Sequence, residues 1–321
     1  MSRLGYFSRK LMLAALTIVG AVACLFLLLE FVRGNLADAV LGTNATPELR
    51  AAFAEKMGLD QPMLVRMFRF LTGALRGDFG DDVISGQPIM GMLAQVIPFT
   101  LALAFSSLSL GLLLGIPLGS LAATRPGSWA DRALGLLSIA FIAVPNFVIS
   151  ISLLLIFSLT LHLLPVAGAG APGNLPDQLL HLILPTIALS LGWIGYVARI
   201  LRASLLEVLA DPHIRTMRAY GVPESRVIWR YAMRPALVPL VAILGLGLGD
   251  MISGAIFAEI IFARPGIGSL LSHAVSARNY PVVQAGALLV VVFYVAANAG
   301  ADMLAALVDP RIAAAARGHR A

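Results

Sequence analysis

From Val83 to Thr124 the chain carries no charged residue, and Ile97–Ala123 inside that stretch is long enough to cross a bilayer. A spanning helix needs about 20 apolar residues. Comparable runs recur at Leu11–Leu29, Ala133–Leu164, Leu179–Ala198, Ala236–Phe262 and Pro281–Leu307. Six such runs predict an all-α polytopic membrane protein with six transmembrane helices. Composition agrees: 59% of the 321 residues are hydrophobic and 12% are charged, against about 25% charged in a soluble domain. A soluble enzyme and a disordered chain are both excluded.

The first run follows Arg3, Arg9 and Lys10, as a signal peptide would, and Ala21-Val22-Ala23 before Cys24 resembles a cleavage site. The run continues past Cys24 to Leu29 and further spans follow, so an anchored first helix is expected. Arginines set the orientation. They crowd the N-terminus, the break at Arg125–Arg132, the segment from Arg199 to Arg234 and the tail, where Arg311, Arg317 and Arg320 lie. The two later loops on the other face hold only Arg264 and Arg278. Both termini are therefore expected inside. The net charge of +6 is explained by this bias, without nucleic acid as a partner.

The expected divisions are an N-terminal tip and first helix over 1–31, an extracytoplasmic loop over 32–96, a transmembrane core over 97–308 and a cytoplasmic tail over 309–321. The outer loop has two helix starts. Thr46-Pro47-Glu48 opens a stripe of Leu49, Ala52, Phe53 and Met57, which Gly58 stops. Asp60-Gln61-Pro62 opens a second stripe of Leu64, Met67, Phe68, Leu71 and Leu75. Two short amphipathic helices on the outer membrane surface, or packed on the spans, fit this pattern. In the second span Gly111, Gly115 and Gly119 form a small-residue stripe that admits another helix closely. Pro145 predicts a kink within the third span.

Several functions are excluded by what the chain lacks. Its two lysines, Lys10 and Lys56, lie outside any Gly-x-x-x-x-Gly-Lys-Ser/Thr loop, so ATP, if used, is hydrolysed by another chain. Cys24 stands alone, which rules out an internal disulfide and a Cys-rich metal site. The five histidines form no His-Glu-x-x-His pair, and there is no Gly-x-Ser-x-Gly elbow for an intramembrane enzyme. No metal or cofactor is expected. An ion-coupled secondary transporter is the alternative. It requires ionisable residues at mid-membrane, and Asp250 is the one candidate at the middle of a span.

The inner loop 202–235 carries the most specific signal. A helix is expected up to Tyr220, a stop at Gly221, and a new start at Pro223-Glu224. Aligning Gly221 with the glycine of the Glu-Ala-Ala loop of ABC importer permeases places the first three positions on Arg215, Thr216 and Met217. The stretch Ile214-Arg215-Thr216-Met217-Arg218-Ala219-Tyr220-Gly221 is closer to the Ile-Arg-Thr-Ala-Arg-Ala-Lys-Gly form of peptide/nickel-type permeases. Further matches follow in order: Gly58-Leu59-Asp60-Gln61-Pro62, Gly77-Asp78-Phe79-Gly80, Arg202-Ala203-Ser204-Leu205-Leu206-Glu207-Val208, Pro265-Gly266-Ile267-Gly268, Arg278-Asn279-Tyr280-Pro281-Val282-Val283-Gln284 and Asp309-Pro310-Arg311-Ile312. Over nearly its whole length the chain resembles the permease subunits of peptide/nickel-type ABC importers. It departs from them at Arg33-Gly34-Asn35-Leu36-Ala37-Asp38, where a Pro-Gly-Asp-Pro-like motif is usual, and at Tyr220, which replaces a basic residue.

The resemblance implies a type I ABC importer permease (MetI-like) fold in a bacterial or archaeal plasma membrane, the inner membrane in a Gram-negative cell. It implies a second homologous permease, two cytoplasmic ATPases and an extracytoplasmic solute-binding protein, with lipid around the spans. It implies a peptide or related small solute as the cargo. Arg215, Thr216, Arg218, Ala219, Tyr220, Gly221 and Val222 are then the ATPase-coupling residues. Asp250 and Asn146 are candidates for the translocation path, and Glu259 is expected near enough the outer end of its span to reach water.

Overall fold

The computed structural model describes residues 3–31, 46–48 and 60–308. The first outer-loop helix beyond Glu48, the Gly58-Leu59 part of one motif, the Arg33–Asp38 departure and Asp309-Pro310-Arg311-Ile312 lie outside the described residues. Among those described, the helices are α1 (Arg3–Phe31), α2 (Met63–Ala74), α3 (Ile89–Thr124), α4 (Trp129–Ala143), α5 (Asn146–Leu153), α6 (Leu175–Ala210), α7 (Pro212–Ala219), α8 (Val238–Ile261), α9 (Ile267–Ser276) and α10 (Tyr280–Val308). A short helical stretch over 224–236 links α7 to α8, and a π-helical turn, Leu154–Thr160, extends α5. Five helices (α1, α3, α6, α8 and α10) are long and apolar enough to cross a membrane alone, and α4 with the extended α5 makes a sixth as a bent pair.

That pair corrects the expected third span. A kinked helix over Ala133–Leu164 was expected, but α4 ends at Ala143 and α5 leaves at 99° to it. Val144 is extended (φ −83°, ψ 124°). Proline lacks the N–H that would continue the helix and pushes the residue before it out of the α region. Here both effects act on two successive residues, so the chain turns a corner. Of the other spans, α1, α3, α6 and α10 run longer than their apolar runs, while α8 falls just inside its own. Ile89 rather than Ile97 begins α3, and α6 extends from Leu175 to Ala210. Asn174 caps the start of α6 by accepting from the Asp177 N–H at 3.3 Å.

The chain divides into two compact units, one of residues 1–100 and 265–295, the other of residues 101–264 and 296–321; α3 and α10 contribute a stretch to each. In the first, Ile89 and Leu93 are fully buried against Val282, Val283, Ala274 and Ala285. Beside them α2 packs on Val22, Phe26 and Leu288. Its inward side chains are Met63, Met67, Phe70, Leu71 and Ala74, a helical stripe offset from the expected one. Leu64, Phe68 and Leu75 of the expected stripe are exposed instead.

In the second unit the glycine stripe of α3 lies on α6. A methyl group at Gly119 would come within 2.6 Å of the Ala198 carbonyl oxygen, and one at Gly111 within 2.5 Å of the Trp193 ring. The other side of the same indole rests on Gly247 of α8. Trp193 is thus gripped between two glycines from two helices. Its indole N–H has no hydrogen-bond partner among the described residues, so the contact is one of shape.

Candidate functional site

The inner loop is built by two breaks, of which the expected reading found one. Asp211 is extended (φ −61°, ψ 145°), because Pro212 follows it. So α6 ends at Ala210, and α7 is a separate helix rather than a continuation to Tyr220. Ile214, fully buried, roots α7. The helix α7 packs against α6 and the π-helical turn at Val227–Ala232, where Leu205, Val227 and Ala232 are also fully buried.

At its other end α7 closes on Gly221, as expected. The Val222 N–H donates to the Met217 carbonyl (3.1 Å) and the Gly221 N–H to the Arg218 carbonyl (2.9 Å). These two bonds are the Schellman arrangement, which needs a left-handed residue at its turn. Gly221 supplies it with φ +74°.

The proposed coupling residues differ in what they can offer a partner. Arg215, Thr216, Ala219 and Tyr220 are exposed, and Tyr220 keeps 81% of its surface. Arg218 is exposed but engaged. Its Nη2 and Nε donate to Glu224 Oε1 and Oε2 at 2.6 and 3.1 Å. These bonds hold the Glu224 carboxyl below its ordinary range and raise Arg218 above its own. The pair straddles Gly221 and clamps the turn. Sequence reasoning named Glu224 only as a helix start and missed its pairing with Arg218; it did not single out Trp229, 60% exposed on the helical stretch that follows.

Another polar clamp stands near the loop. Asp131 Oδ1 and Oδ2 accept from Arg202 Nε and Nη2 at 2.5 and 2.8 Å, and Oδ2 also accepts from the Gly127 N–H at 2.9 Å. A fork-to-fork pair of this kind fixes orientation as well as distance. It ties the α3–α4 turn to the part of α6 that leads into α7.

In the spans, Asp250 is exposed on the surface of this chain and has no side-chain partner among the described residues. Asn146, half-buried at the start of α5, faces Gly254; a methyl group there would lie 3.4 Å from its Nδ2. Gly254 is one turn beyond Asp250 on the same helix face. Glu259 is the correction. Expected to reach water, it is fully buried, with the 3%-exposed Arg264 interacting with its charge. The chain folds back after α8, and the Arg264 N–H donates to the Glu259 carbonyl at 2.8 Å.

The first unit joins two of the quoted motifs. Asp82, just after Gly77-Asp78-Phe79-Gly80, accepts from Asn279 Nδ2, Ser85 Oγ and the Ile84 and Ser85 N–H groups. Burial pushes its carboxyl up, but these bonds together outweigh burial and hold it below its ordinary value. The Ile267 N–H, within Pro265-Gly266-Ile267-Gly268, donates to Thr100 Oγ1 at 2.9 Å.

Residues 115–314 match the family model described as binding-protein-dependent transport system inner membrane component. The chain is 36% identical over 310 residues to a probable peptide ABC transporter permease protein of Sinorhizobium fredii, covering 96% of this chain and 98% of the relative. It is 33% identical to a probable D,D-dipeptide transport system permease protein of Escherichia coli (92% and 94%) and 32% identical to an oligopeptide transport system permease protein of Bacillus subtilis (96% and 98%). Among solved structures it resembles a chain of the methionine ABC transporter MetNI in an inward-facing conformation, with TM-score 0.57 at 19% identity, covering 69% of this chain and 98% of that one.

Proposed function

Since the chain belongs to the binding-protein-dependent transport inner-membrane family, we propose a full reading of its role on that premise. It is the membrane permease subunit of an ATP-driven, binding-protein-dependent importer, and ATP is hydrolysed by separate subunits. The cargo class is peptides or a related small solute, as the names of the relatives suggest. A second homologous permease completes the pathway, two ATPases lie inside, and a solute-binding protein delivers cargo outside. Both termini are cytoplasmic.

The observation that carries the mechanism is the rooted but exposed α7. Its buried Ile214 ties it to the spans, while Arg215, Thr216, Ala219 and Tyr220 remain available to an ATPase. Motion of the ATPases then moves α7, and α7 moves α6. The Asp131–Arg202 pair passes that movement to the α3–α4 turn. Rocking of the spans exposes the pathway alternately to each side. Asp250 and Asn146 belong to that pathway in this reading. A carboxylate at mid-membrane costs about 2.5–3.5 kcal/mol on insertion scales, so the exposed Asp250 faces the second permease or an aqueous path rather than lipid.

The test is reconstitution with the partner subunits in proteoliposomes, with uptake of cationic and neutral peptides compared for Asp250→Asn. Selective loss of cationic uptake, with assembly and basal ATPase activity intact, is the expected result. Equal loss for both cargoes with poor assembly assigns Asp250 to the permease–permease contact, and an unchanged profile removes it from the pathway. Orientation is tested separately in intact cells, in a Cys24→Ser background. Ser85→Cys should react with an impermeant thiol reagent and Ser225→Cys should not.

A further inference from the structure

The surface of α2, continued through Leu75 and Arg76 in the turn that follows it, divides into three sectors. At about 100° per residue, Met63, Met67, Phe70, Leu71 and Ala74 lie together and face α1 and α10. The next sector holds Leu64, Phe68 and Leu75, exposed by 66%, 70% and 90%. Beyond it come Arg69 and Arg76, both exposed. A helix packed only on its own protein needs one apolar sector, and this one has two. The second adjoins the packed sector, with cationic side chains at its far edge.

The depth of α2 indicates what covers that second sector. Its partners on α1 are Phe26 and Val22, and Phe70 meets Phe26 with ring centroids 5.7 Å apart and the rings tilted by 53°. The apolar run of α1 ends at Leu29, so at about 1.5 Å per residue Phe26 and Val22 lie roughly 5 and 10 Å below the membrane boundary. Glu30, at that boundary, accepts from Arg66 Nη2 at 2.5 Å, which fixes the level of α2. Interfacial amphipathic helices seat their apolar face about 5–10 Å into the headgroup–acyl boundary. Elsewhere on α1, Leu16, Val19, Leu27 and Leu28 are exposed, so the second sector of α2 continues a lipid-facing surface. Arg69 and Arg76 have long stems that carry their charge up to the phosphates.

We infer that α2 is a membrane-interface anchor, binding the phospholipid leaflet at the C-terminal end of α1 through Leu64, Phe68 and Leu75, with Arg69 and Arg76 on lipid phosphate. That leaflet is the outer one, a clause that rests on the orientation proposed above. The anchor fixes the height of the first unit against the membrane.

Nitroxide labels placed one at a time test this in the assembled transporter, stripped of other cysteines and held in nanodiscs of phosphatidylglycerol and phosphatidylethanolamine. The positions are Phe68→Cys, Leu75→Cys, Arg69→Cys and Arg76→Cys. Collision with oxygen, which concentrates in lipid, is compared with collision with a water-soluble nickel chelate. Severalfold oxygen preference at 68 and 75, with nickel preference at 69 and 76, is the expected pattern. Nickel preference at 68 and 75 overturns the inference in favour of a solvated face. Low collision with both reagents overturns it in favour of a protein partner. Position 75 decides the matter if the variant at 68 fails to assemble, since Leu75 makes least contact with the rest of the chain. The collision ratios do not depend on which side of the membrane α2 occupies, so a wrong orientation shows in the labelling of position 85 and leaves these ratios intact.

Discussion

Replacing Gly221 separates backbone geometry from surface contact in the coupling loop. A methyl group at this position meets no heavy atom within 4 Å, so a substitution there acts without a local clash. What remains is the conformation, φ +74°. An L-residue pays about 1–2 kcal/mol for the left-handed region, and a β-branched residue more, because its side chain is stiff at χ1. That penalty is a factor of roughly 5–30 in the balance between the closed turn and an opened one. Asparagine tolerates the left-handed region better than other side chains. ATP-driven uptake and substrate-stimulated ATPase activity should therefore fall from the parental protein through Gly221→Asn and Gly221→Ala to Gly221→Val, with membrane insertion unchanged. The assay is proteoliposome uptake beside co-purification of the ATPases. If Gly221→Asn were as damaging as Gly221→Val, occupancy of the surface rather than backbone geometry would be responsible. If Gly221→Val transported at the parental rate, the closed turn would have no part in coupling.

Three further outcomes are expected. Asp131→Arg and Arg202→Asp should each uncouple ATP hydrolysis from uptake, and the double reversal should recover part of the loss; a double variant no better than either single one would show that the pair does not act as a unit. Gly247→Ala drives a methyl group into the Trp193 ring and should cost about 1–3 kcal/mol by overpacking, read as a lower Tm that Trp193→Phe partly restores, whereas Gly135→Ala, with open space around it and alanine favouring the helix, should not lower Tm. Asp82 has a depressed carboxyl pKa, so its stabilising contribution is present above its ordinary value of 3.8 and is lost as pH falls through the lower folded value; protection of residues 77–88 should collapse in that acid window, read with an acid protease, and Asp82→Asn should lose most of its protection at neutral pH, read with a protease active there.

The spans were legible because bilayer crossing imposes length and apolarity on contiguous residues. The glycine stripe of α3 was legible because helical spacing is local, and so was the stop at Gly221. The corner at Val144-Pro145 was legible only as a proline. Whether a helix resumes in line or at 99° depends on what the second half packs against, here α6 and α8. The break at Asp211 did have a local signal, an acidic residue before proline, but the strong helical pattern on both sides obscured it. In α2 the apolar residues are dense enough to make two stripes, and periodicity cannot say which one meets protein. The polar contacts were hidden for another reason. Asp131 and Arg202 are 71 residues apart, and Asp82 and Asn279 are 197 apart. Such pairs leave no periodic trace in a single sequence. Glu259 was misplaced because its distance from the span end was counted along the chain, while the return of Arg264 over it is a property of the turn.

The 36 residues of α6 run without interruption for roughly 54 Å at about 1.5 Å each. This makes the helix a phase reference as well as a connection. The bearing of α7 is set by the number of residues between its root and the Trp193 grip. Adding or deleting one residue between Leu205 and Asp211 turns everything beyond it by about 100°. Ile214 would then point into water and Tyr220 toward the spans. An insertion of seven drifts by only about 20°, yet it lengthens the shaft by about 10 Å and carries α7 away from its seat. Over this stretch the number of residues is itself a structural constraint, beside the burial of Leu205.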